Sequence, residues 1–97
     1  MTDEDVAGSA PWSLVFHPVA AKELKKLDRK TAARILHTLE TRIAILDDPR
    51  TTGAPLKGEH DGYWRWRVGD YRIVAKIQDE RVTIAVVRVA HRREVYR

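Results

Sequence analysis

The chain contains no cysteine, one methionine and one phenylalanine among its 97 residues. Without cysteine there is no disulfide framework, no thiolate metal site and no cysteine nucleophile. No apolar run approaches the roughly 20 residues needed to span a bilayer, and Met1 to Asp5 is acidic where a secretory signal would be basic. The expected compartment is therefore the cytoplasm. The glycines Gly58, Gly62 and Gly69 form no phosphate-loop or dinucleotide fingerprint. His17, His37 and His60 lie in separate segments without ligand spacing, so no metal site and no cofactor are expected.

What is present is a chain that should fold: 43% hydrophobic and 33% charged residues suit a small globule with one core. The formal net charge of +4 is unevenly spread. Residues 1–10 carry Asp3, Glu4 and Asp5 without a base, whereas residues 11–56 carry +3 and residues 57–97 carry +4. Residues 1–11 read as a mobile acidic tail and residues 12–97 as a single domain. Its basic body should attract a polyanion or an acidic protein segment.

Hydrophobic periodicity divides the body in two. Trp12 to Phe16 is β-prone, and Pro18 suits the first turn of a helix in which Ala20, Leu24 and Leu27 keep helical spacing. Asp28 can cap a second helix carrying Ile35, Leu39, Ile43 and Leu46. After the 51–55 loop the period changes to two. Tyr63–Val68 and Tyr71–Ile77 read as a hairpin about Gly69-Asp70, a turn that pairs Val68 with Tyr71, Trp66 with Ile73 and Arg67 with Arg72. In that register Trp64, Trp66, Val68, Tyr71, Ile73, Ala75 and Ile77 share one face. Arg65, Arg67, Arg72 and Lys76 share the other. A third strand, Val82–Val89, is expected to add Ile84 and Val86 to the core face, and Ala85, Val87 and Val89 to the basic face as an apolar floor. The tryptophans fit core packing better than base stacking.

Arginines facing each other across strands repel unless an anion lies between them. Arg67 and Arg72 are therefore either a solvated face with apolar stems or a phosphate seat. The second reading gains from His91, Arg92 and Tyr96, which follow the last strand and can reach the same end of the sheet. Metal-free RNA cleavage needs a base, charge stabilisation at phosphate and a proton for the departing oxygen. Arg suits the second role, and His91 is the best proton carrier. Tyr96 either contacts substrate or closes the core. Lys22, Lys25, Lys26, Arg29 and Lys30 form a basic helix face, which is either solvated or able to track a nucleic-acid backbone.

Four segments together resemble the RelE/ParE superfamily of bacterial toxins, on its RelE-type mRNA-interferase side. They are Ala20–Leu27, Pro55–Gly58, Arg65–Val74 and His91–Tyr96. The resemblance implies an α+β fold of order β-α-α-β-β-β, a small antiparallel sheet of about four strands on a helical hairpin. It implies a type II toxin that cuts mRNA on the ribosome by metal-independent 2′-hydroxyl attack and is silenced by a cognate antitoxin, RelB-like or other. Catalytic positions would be Arg65, Arg67, Arg72, His91, Arg92 and Tyr96, with Lys22, Lys25, Lys26, Lys57, Lys76 and Arg93 contacting RNA or ribosome. Arg65 and Arg67 stand where well-studied members carry Lys, which leaves His91 as candidate base. The alternatives are a ParE-like inhibitor of DNA gyrase, or an inactive module that binds antitoxin and acts as co-repressor.

Overall fold

The computed structural model describes residues 11–58, 62–91 and 93. The acidic tail, apart from Pro11, lies outside the described residues, as do His60, Arg92 and Tyr96. Strand β1 (Ser13–Phe16) leads through His17 into helix α1 (Pro18–Lys25). His17 Nδ1 accepts from Val19 N–H, and Pro18 lacks an N–H where the helix would leave one unpaired. Helix α2 (Arg29–Thr38) is capped by Asp28, whose carboxyl is held below its usual range by hydrogen bonds from Thr31. At Leu39–Ile43 the helix widens by one residue per turn: Ala44 N–H donates to Leu39 O at 2.8 Å, while the Thr41 hydroxyl donates back to His37 O at 2.7 Å. Leu46 lies past the end of this run.

Strands β2 (Ala54–Pro55), β3 (Tyr63–Val68), β4 (Tyr71–Gln78) and β5 (Thr83–His91) complete a sheet of order β1-β5-β4-β3-β2. Val68↔Tyr71, Trp66↔Ile73 and Arg67↔Arg72 pair as expected, with Gly69 at φ +61° opening the turn. Three features differ from the sequence reading. The sheet is mixed, because β1 pairs parallel with β5 rather than antiparallel. It has five strands, since part of the expected 51–55 loop adds β2 at the edge of β3. The third difference is a β-bulge: Ala75 pairs with Val86 but Val74 pairs with Arg88, so Val87 is an extra residue.

That bulge reverses the side-chain alternation beyond it. Val89, expected on the basic face, instead pairs with Ile73 and joins the core. The core lies between the helices and one sheet face, built from Ala20, Ile35, Leu39, Trp66, Ile73, Ile84, Val86 and Val89 among others. Trp66 is 3% exposed, and its indole N–H donates to Pro49 O at 3.2 Å. Trp64 packs against the same core, with the Arg50 guanidinium 5.9 Å above its ring. Arg50 also bridges Asp48 and Asp79, and its hydrogen bond to Asp79 raises its pKa.

Gly53 makes a close approach necessary. A Cβ there would lie 2.9 Å from the Trp66 indole and 3.1 Å from Arg65 O. Gly53→Ala is expected to cost about 1–3 kcal/mol by overpacking, read as a lower urea midpoint with an unchanged slope.

Candidate functional site

The face of the sheet turned away from the helices is organised around Val74. This residue is 6% exposed yet stands outside the core cluster. Its cross-strand neighbours are Arg65 on β3 and Arg88 on β5, and Arg72 and Lys76 flank it along β4. Arg67 sits diagonally beside it, directly opposite Arg72. Long cationic stems laid over an apolar centre gather positive charge over one small area, with Arg88 balanced by its ion pair with Glu23. The Arg72 Nε is withdrawn from solvent, whereas Arg67 and Lys76 are exposed. Ala90, buried beside Arg72, and the partly buried Ala85 and Val87 supply the rest of the floor.

Arg88 is a member of this ring that the alternating pattern gives no reason to include; without the bulge it would face the core. Glu23 on α1 explains its setting. One carboxylate oxygen accepts from Arg88 Nε at 2.8 Å and the other from Val89 N–H at 2.7 Å. The β1 ladder ends at Phe16↔Val86, with His17 N–H donating to Val86 O. Glu23 therefore continues the ladder with a side chain, pairing a backbone donor that β1 is too short to reach. Glu23→Ala should destabilise the chain by about 1–3 kcal/mol by stranding that donor, and Glu23→Gln by less, since its amide oxygen still accepts; chemical denaturation checks both.

His91 lies at the end of the sheet where Arg67 and Arg72 pair, but on the opposite face. It pairs with Tyr71, and the two rings meet edge to face at 5.5 Å. Its Nδ1 accepts from Arg93 N–H at 3.3 Å, so in the neutral ring Nε2 carries the proton. The expected residues thus fall into two groups: Arg65, Arg67, Arg72 and Lys76 on the basic face, and His91 around the sheet end. Lys22, Lys25 and Lys26 are exposed on α1, and Lys57 and Arg93 are exposed in their own segments. Arg34 also belongs near the Arg67–Arg72 end, because a Cβ on Gly69 would meet its Nη1 at 3.1 Å. Nothing in its local sequence marks it; only the packing of α2 over the hairpin turn does.

Among the described residues no group of three or more His, Asp or Glu side chains is arranged to hold a metal, and no helix is long and apolar enough to cross a membrane.

A family model described as the ParE toxin of the type II toxin-antitoxin system parDE matches residues 14–96. Toxin RelG of Mycobacterium tuberculosis (strain ATCC 25618 / H37Rv) is 31% identical over 87 residues, 90% of this chain and 98% of that protein. Among solved structures, the RelBE2 toxin-antitoxin complex from M. tuberculosis contains a chain similar at a TM-score of 0.77 and 29% identity, with 84% of this chain and 92% of that one covered. The RelB–RelE antitoxin-toxin complex from Methanococcus jannaschii gives a TM-score of 0.59 at 28% identity, covering 84% and 94%. A basic-faced mixed sheet under two helices is thus the frame of a toxin of a type II toxin-antitoxin system. The chain belongs to the RelE/ParE superfamily.

Proposed function

We propose that this toxin is a ribosome-dependent endoribonuclease that cuts mRNA without a metal, in the cytoplasm. The observation that carries the reading is the cationic ring around Val74, above all the direct opposition of Arg67 and Arg72. Two guanidinium groups across one strand pair are an arrangement that a bound phosphate relieves. The 2′-hydroxyl gives its proton to solvent water, because His91, the candidate base from the sequence, has its Nδ1 lone pair taken by Arg93 N–H and its Nε2 protonated. The 2′-oxygen attacks phosphorus as the bond to the 5′-oxygen breaks, leaving a 2′,3′-cyclic phosphate and a 5′-hydroxyl. Arg65, Arg67 and Arg72 stabilise the charge that builds on the phosphoryl oxygens. The Nε2–H of His91 serves as proton donor to the departing oxygen, and RNA reaches it by wrapping the end of the sheet. Arg92 and Tyr96 are assigned to the leaving-group side and to substrate orientation. Lys22, Lys25, Lys26, Lys57, Lys76 and Arg93 hold RNA or ribosome through phosphate contacts.

Silencing falls to a cognate antitoxin, RelB-like or other, whose acidic amphipathic segment covers the basic face and its floor of Ala85 and Val87. Co-expression from the native operon should give a hetero-oligomer; monomeric toxin alone would count against this partner.

The decisive experiment maps mRNA 5′ ends after induction and repeats the cleavage on programmed ribosomes kept in Mg²⁺, reading the chemistry of both new ends. Cuts bearing a 5′-hydroxyl and a 2′,3′-cyclic phosphate are the expected result. The match to a ParE model favours a second reading, inhibition of DNA gyrase. Intact ribosome-bound mRNA together with blocked supercoiling would replace the first reading with the second.

A further inference from the structure

A groove of about 470 Å³ opens beside the basic face, between the widened turn of α2 and the edge of β3. It is lined by Thr38, Thr41, Arg42, Ile45, Thr52 and Arg67, with Ile43 and Trp66 behind them. Two local features create it. Strand β2 pairs only with Trp64 and Arg65, so among the described residues β3 has an open edge from Trp66 to Val68. Across from that edge, the extra residue in the helical turn at Leu39–Ile43 enlarges the backbone beside Thr38 and Arg42.

The polar groups are of mixed kind. Arg42 and Arg67 donate. The hydroxyl protons of Thr41 and Thr52 go to His37 O and Pro49 O, so these two side chains offer only lone pairs to a visitor. Leu56 N–H donates to Tyr63 O, which shows that Tyr63 turns its backbone groups toward β2. Alternation along an antiparallel strand then turns the N–H and C=O of Arg67 toward the groove. Ile45, 50% exposed, adds an apolar wall.

A bare phosphate would be repelled by the threonine lone pairs, and an aliphatic ligand would leave the guanidiniums unused. A nucleotide uses everything: its base edge carries donors and acceptors, its flat face packs on an aliphatic wall, and its phosphate pairs with arginine. The volume lies within the range of about 300–1,000 Å³ usual for small-ligand sites. We infer that this groove seats one RNA nucleotide flanking the phosphate gripped by Arg67 and Arg72, and that Arg42 is a substrate-binding residue there. The inference rests on the ribonuclease reading and adds a subsite to it.

The test titrates ¹⁵N-labelled full-length protein with a 2′-O-methyl RNA trinucleotide, which binds but cannot be cut. Shifts are expected at the Thr38, Thr41 and Thr52 amides and the Trp66 indole N–H, together with Arg72 and Lys76. Arg42→Ala, at an exposed position, should weaken binding about tenfold and erase the groove shifts. Shifts confined to Arg72 and Lys76, or an affinity indifferent to Arg42→Ala, would overturn the subsite and leave the ribonuclease reading standing. No RNA-dependent shift at either place would overturn the subsite, while the ribonuclease reading stands or falls on the mapped 5′ ends. Groove shifts produced by an acidic peptide but not by RNA would overturn the nucleotide assignment in favour of strand addition at the open β3 edge.

Discussion

Arg72→Ala should lower the rate of mRNA cleavage on programmed ribosomes by about 10²–10³-fold, the loss typical when one preorganised donor to a developing oxyanion is removed. The guanidinium stands opposite Arg67 and beside the buried Val74, so it is held by the sheet rather than by a loop. Deleting it also removes a like-charge pair. The folded chain should therefore keep its urea midpoint to within about 1 kcal/mol of stability, apart from the packing lost over Val74. Arg72→Lys retains the charge but loses the planar two-pronged donor, so it should recover only part of the rate. Arg67→Ala combined with Arg72→Ala should cost less than the two separate losses multiplied together, because both act on one phosphate. Wild-type cutting by Arg72→Ala would remove the basic face from the mechanism.

Why the hairpin was legible and the last strand was not comes down to how each is specified. In β3 and β4 the apolar and basic residues alternate strictly, and Gly69-Asp70 fixes the turn, so local sequence determines both register and face. The bulge on β5 has no such marker. Val86, Val87, Arg88 and Val89 read equally well in either phase, and the choice is made by Glu23, 66 positions from Val89 along the chain. One unpaired residue there moves Val89 into the core and turns His91 toward Tyr71. The pairing of Arg67 with Arg72 could thus be drawn from the sequence, whereas the placement of His91 relative to it could not. The parallel β1–β5 pairing was hidden for the same reason, since the helices separating those strands leave no local signal of their relative direction.

The bulge also links stability to chemistry. Glu23 ties α1 to Arg88 and Val89, so the end of β5 at His91, two residues on, is set by a contact on the first helix. Weakening that contact should disturb the order of the sheet end before it unfolds the core, because Ile73, Ile84 and Val86 remain packed without it.

The largest loss of stability is expected from Trp66→Ala, about 3–5 kcal/mol, a large share of the roughly 5–15 kcal/mol available to a small domain. The indole does three things at once. It fills the core under α2, donates to Pro49 O, and forms the surface against which Gly53 lies. The 49–53 segment and β2 are thereby attached to β3 through one side chain. Trp66→Phe keeps most of the apolar contact and leaves the Pro49 carbonyl without its indole donor, so about 1–2 kcal/mol should separate it from wild type. Thermal melts would show the alanine variant about 4–8 °C lower for each kcal/mol lost. A double-mutant cycle isolates the contact: Gly53→Ala is costly because its methyl meets the indole, so in the Trp66→Ala background most of that cost should vanish, leaving only the crowding against Arg65 O. Equal costs for Gly53→Ala in both backgrounds would mean that the ring does not anchor this segment, and that the open β3 edge beside the groove is maintained by other contacts.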